Sequence, residues 1–571
     1  MLRLTATSVL ALGLGAAPVL ADLTPAEVWE NLRQYGAENG YEVTAEVEDT
    51  GNTLTLRDAV FATTGDDGGS MRLTFPQMTL SQTGDARVRV VVEGDVAIAN
   101  TVMTPPPAPA LPPSETPSET PSEAPGAAPA PADPAEVVIN GTISVPGNEM
   151  VVSGTPEDML YEYTYPTLNL VMDVPVGPQG DATLPFTAEL TDLAGSQRNV
   201  ASDGMASTFD MALAQATLRI AGRVPVSPSE GAADTPPQDS PPQPDTAEDG
   251  AAGTGAAESG ATEDGSVDVQ LRLSEVTARG SSATPGRPAE DGTQLTEALS
   301  DGMTVDATVA YQALEGSFAM SGRNEAGENQ TGNGTFGTGP SDLRVQLSAN
   351  GMGYAGSTAD TRVEMTMSDL PFPVGFAAER TSADIQLPVL RADSAQPFRL
   401  AYALEGVTLA DAIWGLFDPT AQLPRDPASL VMDLEGDAIV TGNLFDPEAA
   451  QAQVDDSGAV VPPAPPFVPQ TVTVNRVALD AAGASAEITG ALEFGDDPAQ
   501  PVGRLNGSFE GVNGLMDTLV TMGLVPQEQM MGLRMMLTMF ARPAEDNPDR
   551  LTSEIEFREG GTIFANGQQV R

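Results

Sequence analysis

The residues best suited to unusual chemistry are methionines near the C-terminus. The stretch Val525–Pro543, VPQEQMMGLRMMLTMFARP, holds five methionines within ten residues. Thioether sulfurs four residues apart on a helix can bind Cu(I), but copper sites usually also recruit histidine or cysteine, and this chain has neither. The composition therefore favours soft apolar packing, or contact with an apolar surface, over metal binding.

Most catalytic machinery is excluded by the residue types that the chain lacks. There is no histidine or cysteine, and all 26 basic residues are arginine. Triads, Schiff bases, Cys/His zinc sites and phosphate-binding lysines are therefore impossible. Carboxylate chemistry such as a glycosidase pair remains, although two Trp and eight Tyr offer few rings for stacking on sugars. We predict no catalytic residue and no cofactor.

Acidic loops are the remaining candidates for a metal site. Thr63–Ser70 (TTGDDGGS) and Gln453–Ala459 (QVDDSGA) supply the hard oxygen ligands that Ca²⁺ prefers. Neither loop matches the twelve-residue calcium loop, and Asp-Asp-Gly is ordinary turn chemistry. We therefore predict solvated turns and no metal site.

The charge of the chain restricts its partners. Eighty acidic residues against 26 basic ones give a formal net charge of -54. Phosphate backbones and anionic lipid head groups would repel such a chain. We predict no nucleic-acid partner and an acidic, well-solvated surface.

The N-terminus has the pattern of a secretory signal. Arg3 precedes an apolar run to about Leu20, and small residues lead to a predicted cleavage site after Ala21. An uncleaved anchor is the alternative, but no later segment approaches 18 consecutive apolar residues. We predict an exported protein with no stable membrane span after cleavage and, without cysteine, no disulfides.

Two low-complexity segments divide the rest of the chain. Residues 104–136 and 226–266 are acidic, rich in Pro and small residues, and nearly free of large apolar ones, which predicts disordered loops. The piece before the first loop is too short for an independent core, so we expect insertions between strands of one continuous domain. The predicted segments are a signal peptide (1–21), a helix with strands (22–103), a disordered loop (104–136), strands (137–225), a second disordered loop (226–266), strands (267–395), and strands with C-terminal helices and a final strand pair (396–571).

Alternation of apolar and polar residues dominates outside these loops. Asp268–Val276 (DVQLRLSEV) and Thr471–Leu479 (TVTVNRVAL) are typical, and such a period of two indicates half-buried antiparallel strands. Helices are predicted only at Pro25–Asn39, at Leu409–Phe417 and as a pair within Gly514–Ala541. The predicted fold class is mainly β (α+β), with long curved antiparallel sheet and a few short helices, chiefly near the C-terminus.

Both ends of the mature chain carry a family resemblance. Asp22–Thr64 (DLTPAEVWENLRQYGAENGYEVTAEVEDTGNTLTLRDAVFATT) and the close, RLNGSFEGVNGLMDTLVTMGLVPQEQMMGLRMMLTMFARP with LTSEIEFREGGTIFANGQQV, resemble the alphaproteobacterial family numbered 2125 among the domains of unknown function. Two helices followed by a strand pair ending in Gly-Gly-x-Ile-Phe-x-Asn-Gly are also similar to AsmA-like envelope proteins. Neither family has catalytic residues to carry over. The resemblance implies periplasmic residence and a part in handling lipids or the outer membrane.

The methionine-rich segment is predicted to form a helix that is apolar on nearly every side. At 100° per residue, Met530, Leu533, Met536, Leu537 and Phe540 share one face. Met531, Met535 and Met539 form a second stripe at spacing four, which we call the methionine stripe. We expect the preceding helix, through Leu515 to Val520, to cover this stripe; the alternative is an adaptable hydrophobic contact surface for a lipid or a protein.

Three hypotheses for function follow from these features. The first is an exported, non-enzymatic envelope protein whose apolar sheet face, covered by the C-terminal helices, binds or conveys an acyl chain or another hydrophobic ligand. The second is a structural or interaction protein of the periplasm with a closed core, whose Pro-rich loops contact other envelope components. The third is a carboxylate-based hydrolase. Strand patterning separates the first two: strands apolar on both faces indicate a groove or second layer, and strands polar on one face leave a single buried face. The alternation favours the second case, although RVRVVVEG and DIQLPVL are apolar on both faces.

Overall fold

A computed structural model provides the structure of the protein. It describes residues 23–38, 40–65, 68–104, 135–176, 182–202, 204–224, 265–285, 292–323, 328–446, 453–454, 460–461, 466–495 and 497–571. The predicted signal peptide and nearly all of the two predicted disordered loops lie outside the described residues. So do residues 66–67 and 455–459 of the two acidic loops considered for calcium.

The strands follow the period-two segments of the sequence. The first eleven are β1 (Glu42–Asp49), β2 (Thr53–Thr64), β3 (Ser70–Gln82), β4 (Val88–Glu93), β5 (Val96–Thr104), β6 (Ala135–Ser144), β7 (Glu149–Thr155), β8 (Asp158–Val176), β9 (Ala182–Ser202), β10 (Gly204–Val224) and β11 (Gly265–Pro285). The next eight are β12 (Thr304–Tyr311), β13 (Ala313–Arg323), β14 (Asn329–Thr338), β15 (Ser341–Ser348), β16 (Gly351–Met367), β17 (Val374–Leu387), β18 (Gln396–Leu409) and β19 (Ala428–Val440). The last nine are β20 (Gln453–Val454), β21 (Val460–Val461), β22 (Phe467–Ala481), β23 (Ala484–Glu493), β24 (Val502–Glu510), β25 (Arg542–Pro543), β26 (Leu551–Arg558), β27 (Thr562–Ala565) and β28 (Gln568–Gln569).

Helices are short and stand at the ends of the sheet or between strands. They are α1 (Pro25–Glu38), α2 (Gly292–Ser300), α3 (Asp411–Phe417), α4 (Val512–Thr521) and α5 (Gln527–Phe540). The sequence predicted four of these five and missed α2. Within the described part of the chain, none of the helices has the length and apolar character needed to cross a bilayer.

Almost all strands belong to one antiparallel sheet. Twenty-six strands are linked by hydrogen-bonded pairing, and only β20 and β21 form a separate pair. The path is a meander in which four long strands (β3, β8, β11 and β16) each pair with two shorter ones along their length. The predicted fold class is therefore confirmed. Period-two patterning determines it because each strand can place its apolar residues on one face of a single sheet.

Both Pro-rich segments connect strands that are neighbours in the sheet. β5 pairs with β6 from Val96–Ile143 to Thr104–Ala135, and β10 pairs with β11 along nearly their whole length. Along the chain, residues 105–134 therefore connect β5 to β6 and residues 225–264 connect β10 to β11, and each of these two pairs of strands is hydrogen-bonded. The division of the chain into segments stays a prediction.

A line of irregular residues runs across the long strands. Asp58, Asp192, Glu275 and Asp360 have φ angles of 48°, 53°, 50° and 51°, and Gly406 in β18 has a φ angle of 68°. These left-handed conformations are unfavourable for residues with a Cβ, and they occur one to a strand in β2, β9, β11, β16 and β18. Pairing aligns them across the sheet with the breaks between β12 and β13 and between β14 and β15. We call this the bend line.

The alternation of side chains changes phase at the bend line. In β11 the apolar residues are Val267, Val269, Leu271 and Leu273 before Glu275, but Val276 and Ala278 after it. Two consecutive residues, Ser274 and Glu275, thus lie on the same face, as in a β-bulge. The extra residue keeps the apolar side chains of both halves of the strand on one face of the sheet.

We infer that the sheet bends toward its apolar face along this line. The apolar-face residues Leu213, Ala216 and Ala378 beside the bend are buried. At the N-terminal end, α1 contacts β2 on both sides of the bend line: Val28 joins the cluster containing Leu54, and Trp29 meets Phe61 edge-on with ring centroids 6.5 Å apart. One helix can reach both halves because they are inclined toward each other.

A capping box at the start of α1 fixes the helix against the first strands of the sheet. The Glu27 carboxylate accepts hydrogen bonds from the N–H and the hydroxyl of Thr24, both at 2.8 Å, and the Glu27 N–H donates to the Thr24 hydroxyl at 3.3 Å. This reciprocal arrangement is a capping box, and the fully buried Leu23 and Val28 flank it in the positions of a hydrophobic staple. The cap aims the apolar side of α1 at the sheet.

Candidate functional site

The two faces of the sheet differ completely in charge. On β12, Val309 pairs with Leu343, whereas its neighbour Thr308 pairs with Arg344 on the opposite face. We call the face of Val309 the uncharged face. From β2 to β24 it carries no Asp, Glu or Arg at any paired position in the described ranges.

The opposite, charged face carries a series of ion pairs between neighbouring strands. They include Arg89–Glu149, Arg198–Asp158, Arg219–Asp268, Arg344–Asp306, Arg399–Asp384, Arg476–Glu487 and Arg504–Glu554. Hydrogen bonds from the partner guanidinium lower the pKa of Asp158, Asp268 and Asp306. These groups are well exposed, so each pair contributes little to stability. Their consistent placement nevertheless identifies this face as the one that meets water.

The middle of the uncharged face is an unbroken apolar surface. Its rows cross β12, β15, β16, β17, β18, β19 and β22 through directly paired residues. We call this surface the open patch; it consists of Val309, Leu343, Val345, Tyr354, Ile385, Leu400, Tyr402, Leu430, Met432, Leu434, Val474, Val477 and Leu479. Seven strands at about 4.8 Å spacing give it a length of about 29 Å.

Among the residues that the structure describes, none forms a second layer above the open patch. Val309, Tyr354 and Leu479 are 42%, 45% and 51% exposed, although they lie in the interior of the sheet rather than at a sheet edge. A soluble monomer seldom leaves so many adjacent apolar side chains in contact with water. The exposure therefore marks a surface with capacity for an apolar ligand or partner.

Aromatic rings on the uncharged face lie over glycines of the neighbouring strand. A Cβ built on Gly334 would be 2.6 Å from Cε1 of Phe318, and one on Gly280 would be 2.8 Å from Cε1 of Phe209. Glycine leaves room for the ring to lie against the backbone. The rings therefore add flat apolar area without projecting far from the sheet.

Helices cover the two ends of the uncharged face. α1 covers the first strands, as described above. At the other end α4 contacts β23 and α5 contacts β26. The Phe540 carbonyl accepts hydrogen bonds from Ser553 Oγ at 2.6 Å and from Asn566 Nδ2 at 2.9 Å, which holds the end of α5 on this face. The expectation that the C-terminal helices cover the apolar surface is thus wrong for the open patch, because they reach only the last strands.

The methionine stripe faces away from the protein. Met531, Met535 and Met539 are 62%, 68% and 53% exposed. The expectation that the preceding helix covers them is therefore wrong. The alternative, a hydrophobic contact surface for a lipid or a protein, stays a prediction.

The orientation of α5 explains this exposure. Met530 is buried, and Leu537 and Phe540 are half-buried, so the helix packs through these three residues. Leu533 and Met536, predicted on the same face, are 47% and 53% exposed. Arg534 forms an ion pair with Asp517 of α4, which turns the one cationic side chain of α5 toward its neighbour. At 100° per residue the stripe then lies on the remaining, outward side.

Polar concavities occur on the charged face. Two cavities of about 720 and 680 Å³ are lined mostly by residues of that face, among them Asp268, Glu364, Arg399 and Glu435. Their side chains belong to the polar rows of neighbouring strands. Within the described residues, no group of three or more acidic side chains is arranged to hold a metal ion.

Sequence reasoning located the methionine stripe but missed the open patch and the bend line. A signal for the bend line was present in the phase of the alternation. In β9, Leu184, Phe186, Ala188 and Leu190 are even-numbered, but beyond Asp192 the apolar-face residue is Leu193. Alternation of apolar residues identifies the strands. The position at which the alternation changes phase, as at Asp192 in β9, identifies the bend line.

The fold and the two faces define a class of protein: a single antiparallel sheet with one charged and one uncharged face, whose ends are covered by α1 and by α4 with α5. Residues 317–565 match the family described as an uncharacterized protein conserved in bacteria (DUF2125). This part of the chain belongs to that family, which confirms the assignment made from the sequence. No curated protein and no solved structure matches the chain.

The matched range contains the strands of the open patch from β15 onward, together with α4 and α5. It begins after α1 and β12. The N-terminal part of the resemblance therefore stays a prediction, as does the similarity to AsmA-like proteins.

Proposed function

We propose that this protein is an exported, non-enzymatic protein that binds an elongated hydrophobic ligand, such as a lipid acyl chain, on the open patch. The observation that carries the proposal is the combination of exposure and charge. Val309, Tyr354 and Leu479 are highly exposed in the interior of a face that holds no charged side chain at its paired positions. Contact between such a surface and water is unfavourable, whereas contact with a hydrocarbon chain is favourable.

The size of the open patch supports an acyl ligand. A bilayer core is about 30 Å thick, so the chains of one leaflet extend about 15 Å. The open patch is about 29 Å long across its strands and can therefore accommodate such a chain with room to spare. Burying apolar area gains about 25 cal/mol per Å², so a chain covered on one side can bind with useful affinity.

Residence in the periplasm belongs to this proposal. The signal-like N-terminus and the resemblance to AsmA-like envelope proteins support it, and both rest on the sequence. An envelope protein would meet lipids as ligands. The strongly acidic surface, with a net charge of -54, would keep such a protein soluble and away from anionic head groups.

The methionine stripe supports a second candidate function, that of an interaction module. Met531, Met535 and Met539 are exposed on a helix whose other side is anchored to the sheet. Methionine adapts to varied apolar shapes, so this helix could contact an envelope protein or a lipid. The two functions are compatible because the stripe and the open patch are separate surfaces.

Adjacent residues on β12 allow a matched test of ligand binding. Val309→Glu places a carboxylate in the open patch, whereas Thr308→Glu places one on the charged face between Arg279 and Arg344. Protein purified from the periplasm is analysed by native mass spectrometry and by solvent extraction. The wild type and Thr308→Glu should carry an apolar ligand, and Val309→Glu should lose at least nine tenths of it while its urea unfolding midpoint stays close to that of Thr308→Glu.

The same measurements can refute the proposal. Wild-type protein that carries no extractable lipid, and that takes up none when offered fatty acyl compounds, does not have this function. Equal ligand loading of Val309→Glu and Thr308→Glu would place any bound lipid elsewhere.

A further inference from the structure

A cluster of neutral polar side chains interrupts the uncharged face beside the open patch. One row of paired residues crosses the sheet from the core under α1 to the start of the open patch. Its members in order are Met159, Asn199, Ser207, Ser282, Val305 and Leu347. Three consecutive strands, β9, β10 and β11, thus replace apolar residues by an amide and two hydroxyls, while the row is apolar on both sides of them.

Hydrogen bonds organise this cluster around Asn199. Its Oδ1 accepts from Ser207 Oγ at 2.8 Å and from Gln197 Nε2 at 3.0 Å. Asn199 is buried, whereas Gln197, Ser207 and Ser282 are half-buried. We call these four residues the polar cluster.

The amide nitrogen of Asn199 is the unused donor of the polar cluster. The hydrogen bonds given above use only its Oδ1, and Nδ2 meets no acceptor among the described residues. Among the described residues, every fully buried side-chain nitrogen or oxygen has a hydrogen-bond partner. The Nδ2 group of Asn199 is therefore not fully buried, and its side chain lies on the uncharged face beside Met159. A donor held in place by two bonds to its own oxygen is well prepared to bind an oxygen atom.

The polar cluster has a closed side and an open side. On the closed side, Tyr161 of β8 pairs with Gln197, and its hydroxyl donates to Asn31 Oδ1 of α1 at 2.6 Å. Burial raises the pKa of this Tyr161 hydroxyl, so it stays neutral. On the open side, Ser282 pairs with Val305, and the same strand β12 contributes Val309 to the open patch. A ligand on the open patch could therefore extend toward the polar cluster but not past α1.

We propose that the polar cluster binds the uncharged, hydroxyl-bearing head of an amphiphile whose acyl chain lies on the open patch. This inference rests on the proposed function. Asn199 Nδ2 donates to a hydroxyl oxygen of the head, and the hydroxyls of Ser207 and Ser282 exchange hydrogen bonds with it. The chemical class is that of acylglycerols and related neutral glycolipids.

The lack of compensating positive charge at the polar cluster favours neutral lipids over lipids with phosphate or carboxylate heads. The uncharged face offers no arginine at its paired positions to compensate a phosphate or carboxylate, and the net charge of the chain is -54. Placing an anionic head beside neutral amides in a partly desolvated site costs free energy that nothing repays. A neutral head with several oxygen atoms meets no such penalty.

Three ligands with the same acyl chain test the inference on the full-length mature protein. They are monopalmitoylglycerol, methyl palmitate and palmitate, each competing with a polarity-sensitive fluorescent acyl probe. Monopalmitoylglycerol should bind about tenfold more tightly than the other two, as expected for one or two additional hydrogen bonds.

The variant Asn199→Leu/Ser207→Ala removes two of the three hydrogen-bonding partners and leaves Ser282. It should lose most of the preference for monopalmitoylglycerol over methyl palmitate, while its affinity for methyl palmitate stays within twofold of the wild type. Thr208→Val, which removes a hydroxyl from the opposite face of the same strand, should keep the tenfold preference. Urea unfolding midpoints confirm that the variants are folded.

Two results would overturn the inference while the proposed function stands. The first is equal binding of all three ligands by the wild type. The second is a preference for monopalmitoylglycerol that survives in full in Asn199→Leu/Ser207→Ala. Failure of the wild type to bind any of the ligands would overturn the proposed function together with the inference.

Discussion

Gly316 of β13 and Phe336 of β14 pair directly, and the ring of Phe336 fills the space that a Cβ of Gly316 would occupy. The ring covers the backbone of the neighbouring strand on the uncharged face. The same arrangement recurs where Phe318 lies over Gly334 and Phe209 lies over Gly280. Glycine in these strands therefore has a packing role that alternation of polarity does not reveal.

Replacement of Gly316 by alanine should destabilise the protein. The added methyl group overlaps the Phe336 ring, which must rotate away, and overpacking of this kind costs about 1–3 kcal/mol. Gly322→Ala is the matched control on the same strand, because a Cβ there meets nothing within 4 Å. Urea unfolding should show a lower midpoint for Gly316→Ala only, and equal midpoints would contradict the packing role of the ring.

The bend line predicts an unusual response to glycine. Glu275 has a φ angle of 50°, a conformation that glycine adopts freely and a β-branched residue resists. Glu275→Gly should leave stability unchanged or raise it by about 0.5–1 kcal/mol, and Glu275→Val should lower it by about 1–2 kcal/mol. Thr277→Val, two residues along the same strand, is the control with no positive φ. Equal urea unfolding midpoints for Glu275→Val and Thr277→Val would contradict the left-handed conformation of Glu275.

Oxidation should distinguish the methionines of the C-terminal helices. Met531, Met535 and Met539 are exposed, whereas Met516 and Met530 are buried. Brief treatment with dilute hydrogen peroxide, followed by peptide mass spectrometry, should convert the first three to sulfoxides several times faster than the last two. Equal rates would mean that α5 does not hold the orientation described above. Protection of the stripe only in extracts that contain a partner would support the interaction function.

Stability should be insensitive to pH near neutrality and should fall in acid. The chain has no histidine or cysteine, so none of its side chains has an ordinary pKa between 5 and 8. Hydrogen bonds from arginine lower the pKa of Asp158, Asp268 and Asp306 in the folded protein. A lowered folded-state pKa contributes stability above the unfolded-state pKa of about 3.9, and this is lost as the pH falls through the folded-state value.

The thermal unfolding midpoint should therefore be constant from pH 6 to 8 and decline below about pH 4. Scanning calorimetry across this range tests the expectation. The effect should be small for each pair because these groups are exposed. A step near pH 6.5 would contradict it, since no side chain of the chain titrates there in its ordinary range.

Much of this structure could be read from local patterns. Alternation in segments such as Asp268–Val276 predicted the strands, and Pro25 with its flanking residues predicted α1. Each of these features depends on a few neighbouring residues, which is why a sequence displays them. The helix α2 was missed because its nine residues, Gly292–Ser300, contain few apolar positions and begin with glycine.

Only part of the candidate site could be predicted from the sequence. The spacing of four between Met531 and Met535 predicted a stripe, but its exposure depends on contacts with other elements, made by the buried Met530 and by Arg534 with Asp517. The sequence suggested coverage by the preceding helix because that helix is nearest along the chain. Proximity in sequence did not determine which side of α5 turned inward.

By itself the sequence determined the residue chemistry of this protein: a sheet with charged residues on one face, no histidine, cysteine or lysine, and a helix rich in methionine. These properties follow from residue types and from the two-residue period of a strand. The tertiary structure decided that the apolar face between β12 and β22 stays uncovered, and that neutral polar residues of three separate strands meet beside it. Such facts arise from pairing between residues far apart in the chain, and local patterns carry no information about that pairing.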